Sequence, residues 1–151
     1  MAKAVRAVRS AARAQPDPSG NLLGLRLQDP LQLVKKVEQG LPYSAVESLL
    51  KRTKLTFQEL AQSVAIPART LQRRREQGRL GAEESDRLLR FSRIASRAAD
   101  MFEGDVEAAV RWLRAPAKAL GGERPILFGR TDAGAREVEA LIHRLEHGVL
   151  S

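Results

Sequence analysis

The chain has 151 residues, 43% of them hydrophobic, and 26 Lys and Arg against 18 Asp and Glu give it a net charge of +8; this suffices for one compact domain or two small ones. With 4% aromatic residues and no cysteine, the composition excludes disulfides, thiol catalysis and thiolate metal sites, and argues against the base-stacking surfaces of single-strand and RNA binders. No apolar run approaches the roughly 18 residues of a membrane span, and Lys3, Arg6, Arg9 and Arg13 interrupt any signal-peptide core, so a cytoplasmic protein with no membrane contact is expected.

Residues 1–21 are rich in Ala and Arg and run into Gln15-Pro16-Asp17-Pro18-Ser19-Gly20, the composition of a flexible basic arm. Ser44-Ala45-Val46-Glu47 reads as a capping box opening a helix whose apolar face is Val46, Leu49 and Leu50. Thr56-Phe57-Gln58-Glu59 is a second capping box, with Leu55 and Leu60 placed as a hydrophobic staple. The helix it starts has Leu60, Ala61 and Val64 inward, Val64-Ala65-Ile66 turns the chain, and Pro67 suits the first turn of a helix running to about Gln77. Residues 42–80 hold eight basic against three acidic residues, net +5, whereas residues 81–120 are neutral and 121–151 are net −1. Concentrated charge on a helix-turn-helix pattern points to a phosphate backbone. With Leu71 inward, Arg69, Thr70, Gln72 and Arg73 occupy the outward N-terminal half of the second helix, where base edges are read, and Arg74, Arg75 and Arg79 are placed to meet phosphates. A plain helical hairpin has the same pattern.

From Ala82 to Phe102, Leu88, Phe91, Ala95, Ala98 and Phe102 recur at helical spacing, and Leu89 and Ile94 widen the stripe, as expected of a central helix joining two halves or serving a homodimer. Val106, Ala109, Val110 and Leu113 form a further helix that Pro116 stops near Ala115. Residues 119–129 are crowded with breakers and read as an ordered loop. Val138, Leu141, Ile142 and Leu145 define a last helix starting near Thr131 or Asp132, with Gly148 as its C-terminal cap. Val149 and Leu150 follow as a short apolar tail able to enter a pocket. His143 and His147 are i and i+4 but lack a third ligand, so neither metal, cofactor nor catalysis is expected; an enzyme reading finds no nucleophile and base.

Trp112-Leu113, Pro116, Ala119-Leu120-Gly121-Gly122, Pro125, Thr131, Gly134, Val138, Leu141 and the closing Glu146-His147-Gly148-Val149 together resemble the C-terminal toxin-binding domain of the Xre/MbcA/ParS antitoxins. The helix pair resembles that of Xre-type regulators, with Ala61, Ile66 and Leu71 at its packing positions. Ala65 stands where such turns most often place glycine, and the expected consequence is a distorted turn.

The resulting expectation is an all-α protein: a basic arm over 1–21, a helix-turn-helix-like DNA-binding and dimerisation region over 22–80, a central helix over 81–104 and a toxin-binding domain over 105–151. The resemblance implies a partner toxin with a RES domain that consumes NAD⁺, neutralised by occlusion of its active site. It also implies repression of the antitoxin's own operon through operator DNA. It assigns Trp112 and Pro125 as supports of the binding surface, Glu146, His147, Gly148, Val149 and Leu150 as its contacting end, and Arg130 and Arg144 as further contacts. A stand-alone repressor and a protein-binding adaptor that never touches DNA remain open on the residues alone.

Overall fold

Proline, glycine and short polar caps cut the chain into helices at the points where the backbone can no longer satisfy an i to i−4 hydrogen bond. The computed structural model describes residues 22–25 and 29–148; the arm expected over 1–21 and the tail residues Val149 and Leu150 lie outside them. Among the described residues the fold is all-helical: α1 Pro30–Gln39, α2 Ser44–Thr53, α3 Phe57–Ser63, α4 Ala68–Gln77, α5 Ala82–Met101, α6 Val106–Arg114, α7 Pro125–Phe128 and α8 Asp132–Glu146, with a 3-10 turn at Lys118–Leu120 between α6 and α7.

Several ends carry the devices their residues imply. Asp29, Asp105 and Thr131 cap α1, α6 and α8 by accepting the amides of Leu31, Ala108 and Gly134, each satisfying a donor that the first helical turn leaves orphaned. At α3 the box is complete: Thr56 Oγ1 accepts from the Glu59 amide at 3.1 Å and Glu59 Oε1 from the Thr56 amide at 3.3 Å. The box expected at Ser44 does not form. Ser44 is already helical, and Tyr43 caps α2 with no side-chain hydrogen bond. The Tyr43 amide donates to Gly78 O, and Pro42 and Arg79 form a β-bridge. The turn therefore begins one residue early, and the Tyr43 carbonyl takes the Val46 and Glu47 amides that the Ser44 side chain would have capped. Gly40 permits this approach: its φ is +93° and a Cβ there would run into the Leu80 carbonyl.

The central helix is the scaffold. At 20 residues it is about 30 Å long, and α1, α6 and α8 pack against it. Leu88, Phe91, Ile94, Ala95 and Ala98 are buried, and Leu89 and Phe102 are partly buried on the flanks of the stripe. One continuous core joins them to Leu60, Ile66 and Leu71 of the helix-turn-helix and to Leu113, Ile126, Val138, Leu141 and Ile142 beyond. Each such leucine or isoleucine contributes about 1.5–3 kcal/mol on burial.

Polar ties fix how the two halves meet. Arg114 of α6 forms a bidentate pair with Glu59 of α3 at 2.8 and 3.0 Å. Arg87 donates to the Ala65 carbonyl at 3.1 Å, and Arg90 to the Arg130 carbonyl at 3.4 Å. Arg93 pairs with Glu139 at 2.6 Å, and Asp100 is close enough to Glu146 to feel its charge. Partners along α5 thus rise in number with partners along α8, so the two helices run in the same sense. The start of α5 lies against the helix-turn-helix, and its far end lies beside the end of α8.

Candidate functional site

Two surfaces at opposite ends of α5 hold most of the residues singled out by the sequence. At the first end, α3 and α4 are set by the packing of Leu60, Ala61, Ile66 and Leu71, all buried. Ala65 takes the left-handed conformation itself, φ +54°, while the Ile66 amide closes onto Ala61 O at 3.0 Å. The expected distortion is therefore absent: alanine carries a strain of about 1–2 kcal/mol, and the turn keeps the shape that a glycine would give it. Arg87 holds the strained residue through its carbonyl.

Arg69, Gln72, Arg73 and Arg75 are exposed and line a hollow on the outer face of α4 together with Glu76. None of these three arginines has an ion pair within 4 Å among the described residues, so their charge is available to a partner. Thr70 is half-buried at the edge of this face. Two of the expected phosphate contacts are occupied otherwise. Arg74 is bonded to Glu84 and to Gln77, each at 2.7 Å. Arg79 donates to the carbonyls of Gln39 and Gly40 at 3.3 and 3.0 Å. Both fasten the exit of α4 to its neighbours, because Gly78 turns the chain there and leaves carbonyls and a carboxylate within their reach. Burial pushes the Glu84 carboxyl up, but the hydrogen bonds from Arg74 and the Gly81 amide more than offset it, so its pKa lies below the ordinary value. The Glu59 carboxyl is also lowered, first by the Arg114 hydrogen bond, which outweighs desolvation.

Beyond α6 the chain is built on close backbone approach. Residues 119–129, expected as loop, contain the end of the 3-10 turn and the single-turn helix α7, which Pro125 opens and Gly129 ends. Pro at N1 and a following Gly were the available signals; four residues are too few for periodicity to show. A Cβ on Gly134 would collide with the Phe128 carbonyl, so only glycine lets α8 start directly against α7. Between them lies a surface hollow of about 490 Å³ lined by Leu127, Phe128, Arg130, Thr131, Gly134 and Glu137, among others, which the sequence reading missed.

Of the residues assigned to partner binding, Pro125 is buried and Trp112 half-buried against the core. Half-buried Arg144 and exposed Glu146, His147 and Gly148 gather at the end of α8. His147 caps that helix and Gly148 follows at φ +64°, the position where glycine ends a helix at least cost. The His143 and His147 rings lie 4.1 Å apart, and among the described residues no group of three or more His, Cys, Asp or Glu is placed to hold a metal. Burial, and then the charge of Glu146, raises the Asp100 carboxyl above its ordinary value. Arg130 is not part of this group. It is exposed at the other end of α8, where Arg90 holds its carbonyl. Among the described residues no helix is long and apolar enough to cross a membrane.

Comparison with known proteins agrees with this division. Residues 32–93 match the antitoxin Xre-like helix-turn-helix domain, and residues 97–148 match the antitoxin Xre/MbcA/ParS C-terminal toxin-binding domain. Similar curated proteins include Antitoxin Xre of Yersinia enterocolitica, 38% identical over 85% of this chain and 88% of its own length. Antitoxin Xre of Photorhabdus laumondii is 30% identical over 92% of this chain and 95% of its own, and that of Pseudomonas putida 31% over 81% and 76%. With a basic outer helix at one end of α5 and a toxin-binding domain at the other, matched over most of its length by proteins of one kind, the chain belongs to the Xre family of antitoxins, which carry a helix-turn-helix and a toxin-binding domain and are not enzymes.

Proposed function

We propose that this antitoxin neutralises a RES-domain toxin that consumes NAD⁺ by covering its active site, and that it represses its own operon as a homodimer. The toxin-binding match over residues 97–148 carries the reading. Trp112 and Pro125 support the surface from within, while Arg144, Glu146, His147 and Gly148 at the end of α8 lead the tail residues Val149 and Leu150 toward the toxin cleft. The placement of Arg144, Glu146, His147 and Gly148 at the end of a packed helix favours occlusion, because groups held on a rigid scaffold lose little entropy on binding. On the DNA side, Arg69, Thr70, Gln72, Arg73 and Arg75 present donors to base edges and phosphates. Two copies would match a symmetric operator.

The test is to co-purify the antitoxin with its bound partner and follow NAD⁺ before and after the antitoxin is removed by limited proteolysis. NAD⁺ loss only after removal is expected, and deletion of residues 146–151 should release the same activity. A partner that leaves NAD⁺ untouched in both states overturns the RES assignment, and full neutralisation by the truncated chain overturns the role of the tail. On the promoter, replacing Arg69 and Arg73 by Ala should cost about 1–3 kcal/mol per lost base contact in mobility-shift titrations. Unchanged affinity would show that α4 does not read the operator.

A further inference from the structure

We infer that the toxin-binding unit also contributes to DNA binding: Arg124 and Arg130 extend the basic surface of the helix-turn-helix across its turn and meet the phosphate backbone of the operator duplex. The inference rests on the reading that α4 enters the groove, and it assigns Arg130 to DNA where the family resemblance had given it to the toxin.

Three observations carry it. Arg124 and Arg130 share a hollow with Gln62 and Ala65, which are the end of α3 and the strained residue of the turn. The C-terminal unit therefore abuts the helix-turn-helix at the turn that leads into α4, and Arg69 follows Ala65 by only four positions. Both arginines are exposed, and neither side chain has an ion pair within 4 Å or a hydrogen bond among the described residues. By contrast Arg93, Arg114 and Arg136 are paired with carboxylates. The third observation is position along the scaffold. Arg90 holds the Arg130 carbonyl and Arg87 the Ala65 carbonyl, both near the start of α5, whereas the end of α8 that leads to the tail lies beside Asp100 at its far end.

A duplex presents a regular row of monoanionic phosphates, and cations on either side of a recognition element fix its register without reading sequence. Guanidinium groups held on a rigid frame suit this task, since a planar fork grips two phosphate oxygens. The net charge of −1 over residues 121–151 does not oppose the contribution: Glu139 is tied to Arg93 and Asp132 to Arg136, and Glu123 and Glu137, which line the α7–α8 hollow with Arg130, form no ion pair within 4 Å with it among the described residues.

The experiment is a salt titration of the full-length protein on a duplex of arbitrary sequence and on the promoter fragment, with each variant first shown to unfold at the wild-type midpoint. R124Q/R130Q is expected to weaken both by roughly tenfold near physiological salt and to lower the slope of log affinity against log salt by about two. R124K/R130K, which keeps the charge but not the fork, should retain the wild-type salt slope and lose less affinity than R124Q/R130Q. R97Q/R111Q, an equal loss of charge elsewhere, should bind with nearly wild-type affinity. If R124Q/R130Q binds DNA normally while R69Q/R73Q does not, α4 stands as the reader and the extension is wrong. Equal weakening of R124Q/R130Q and R97Q/R111Q would reduce the effect to net charge and also overturn it. Loss of toxin affinity with DNA affinity intact would return the two arginines to the toxin interface. Failure of R69Q/R73Q to change binding at all would instead remove the α4 reading on which the proposal rests.

Discussion

The helix-turn-helix and the toxin-binding unit are of similar size but build their surfaces by different means. The first places long charged side chains on the outer face of an ordinary helix whose inner face is anchored by Leu71. The second brings backbone against backbone: α8 starts where Gly134 meets the Phe128 carbonyl, and α7 is a single turn between a buried proline and a glycine. A charged outer face on an anchored helix therefore tolerates change in its surroundings, whereas a surface built on close approach is sensitive to one methyl group.

The sharpest way to break the comparison is to remove the anchor of the first unit. Leu71→Ala is expected to cost about 2–5 kcal/mol, the range for a fully buried leucine, read by urea denaturation. Because α5, the continuous core and the Glu59–Arg114 pair join the units, the loss should appear as one cooperative transition shifted to lower urea. Two separated transitions would show that the units fold independently.

Gly134→Ala addresses the second unit and should cost about 1–3 kcal/mol through overpacking against α7. Toxin affinity should fall more than DNA affinity in this variant. Equal losses would mean that the surface of the C-terminal unit does not depend on this contact.

Arg114→Gln tests the tie between them, with an expected loss of about 1 kcal/mol or less for a partly exposed pair. The same pair sets a pH dependence. Glu59 and Glu84 have folded pKa values below their ordinary value of 4.5. The stability they add is thus fully present above that value and is lost as pH falls through their lowered folded values. The stability difference between wild type and Glu59→Gln should therefore be constant at neutral pH and shrink below about pH 4.5. A difference that grows on acidification would contradict the assigned sign.

The smallest expected effect is a gain. Ala65→Gly removes left-handed strain of about 1–2 kcal/mol but gives the unfolded chain more freedom, which offsets roughly half of it. A stabilisation of under about 1 kcal/mol is expected in the same denaturation assay, with promoter affinity unchanged.

The sequence by itself determined the helices and their inner faces, because apolar spacing and polar caps act over a few residues: the Thr56 box, the stripe of α5, the end of α6 before Pro116 and the Thr131 cap all form as read. It also placed the outward arginines of α4 and the family of the C-terminal unit. Wherever a competing partner was distant in the chain, the reading could not see it. Ser44 lost its capping role to the bridge between Pro42 and Arg79, and Arg74 and Arg79 were taken by Glu84 and the Gln39 and Gly40 carbonyls. Arg130, which the resemblance grouped with the toxin contacts, lies beside Ala65 at the turn. Local periodicity fixes which face of a helix is buried, but which charges are neutralised and which are left for a partner depends on contacts between residues far apart in sequence, and only the tertiary structure decides those.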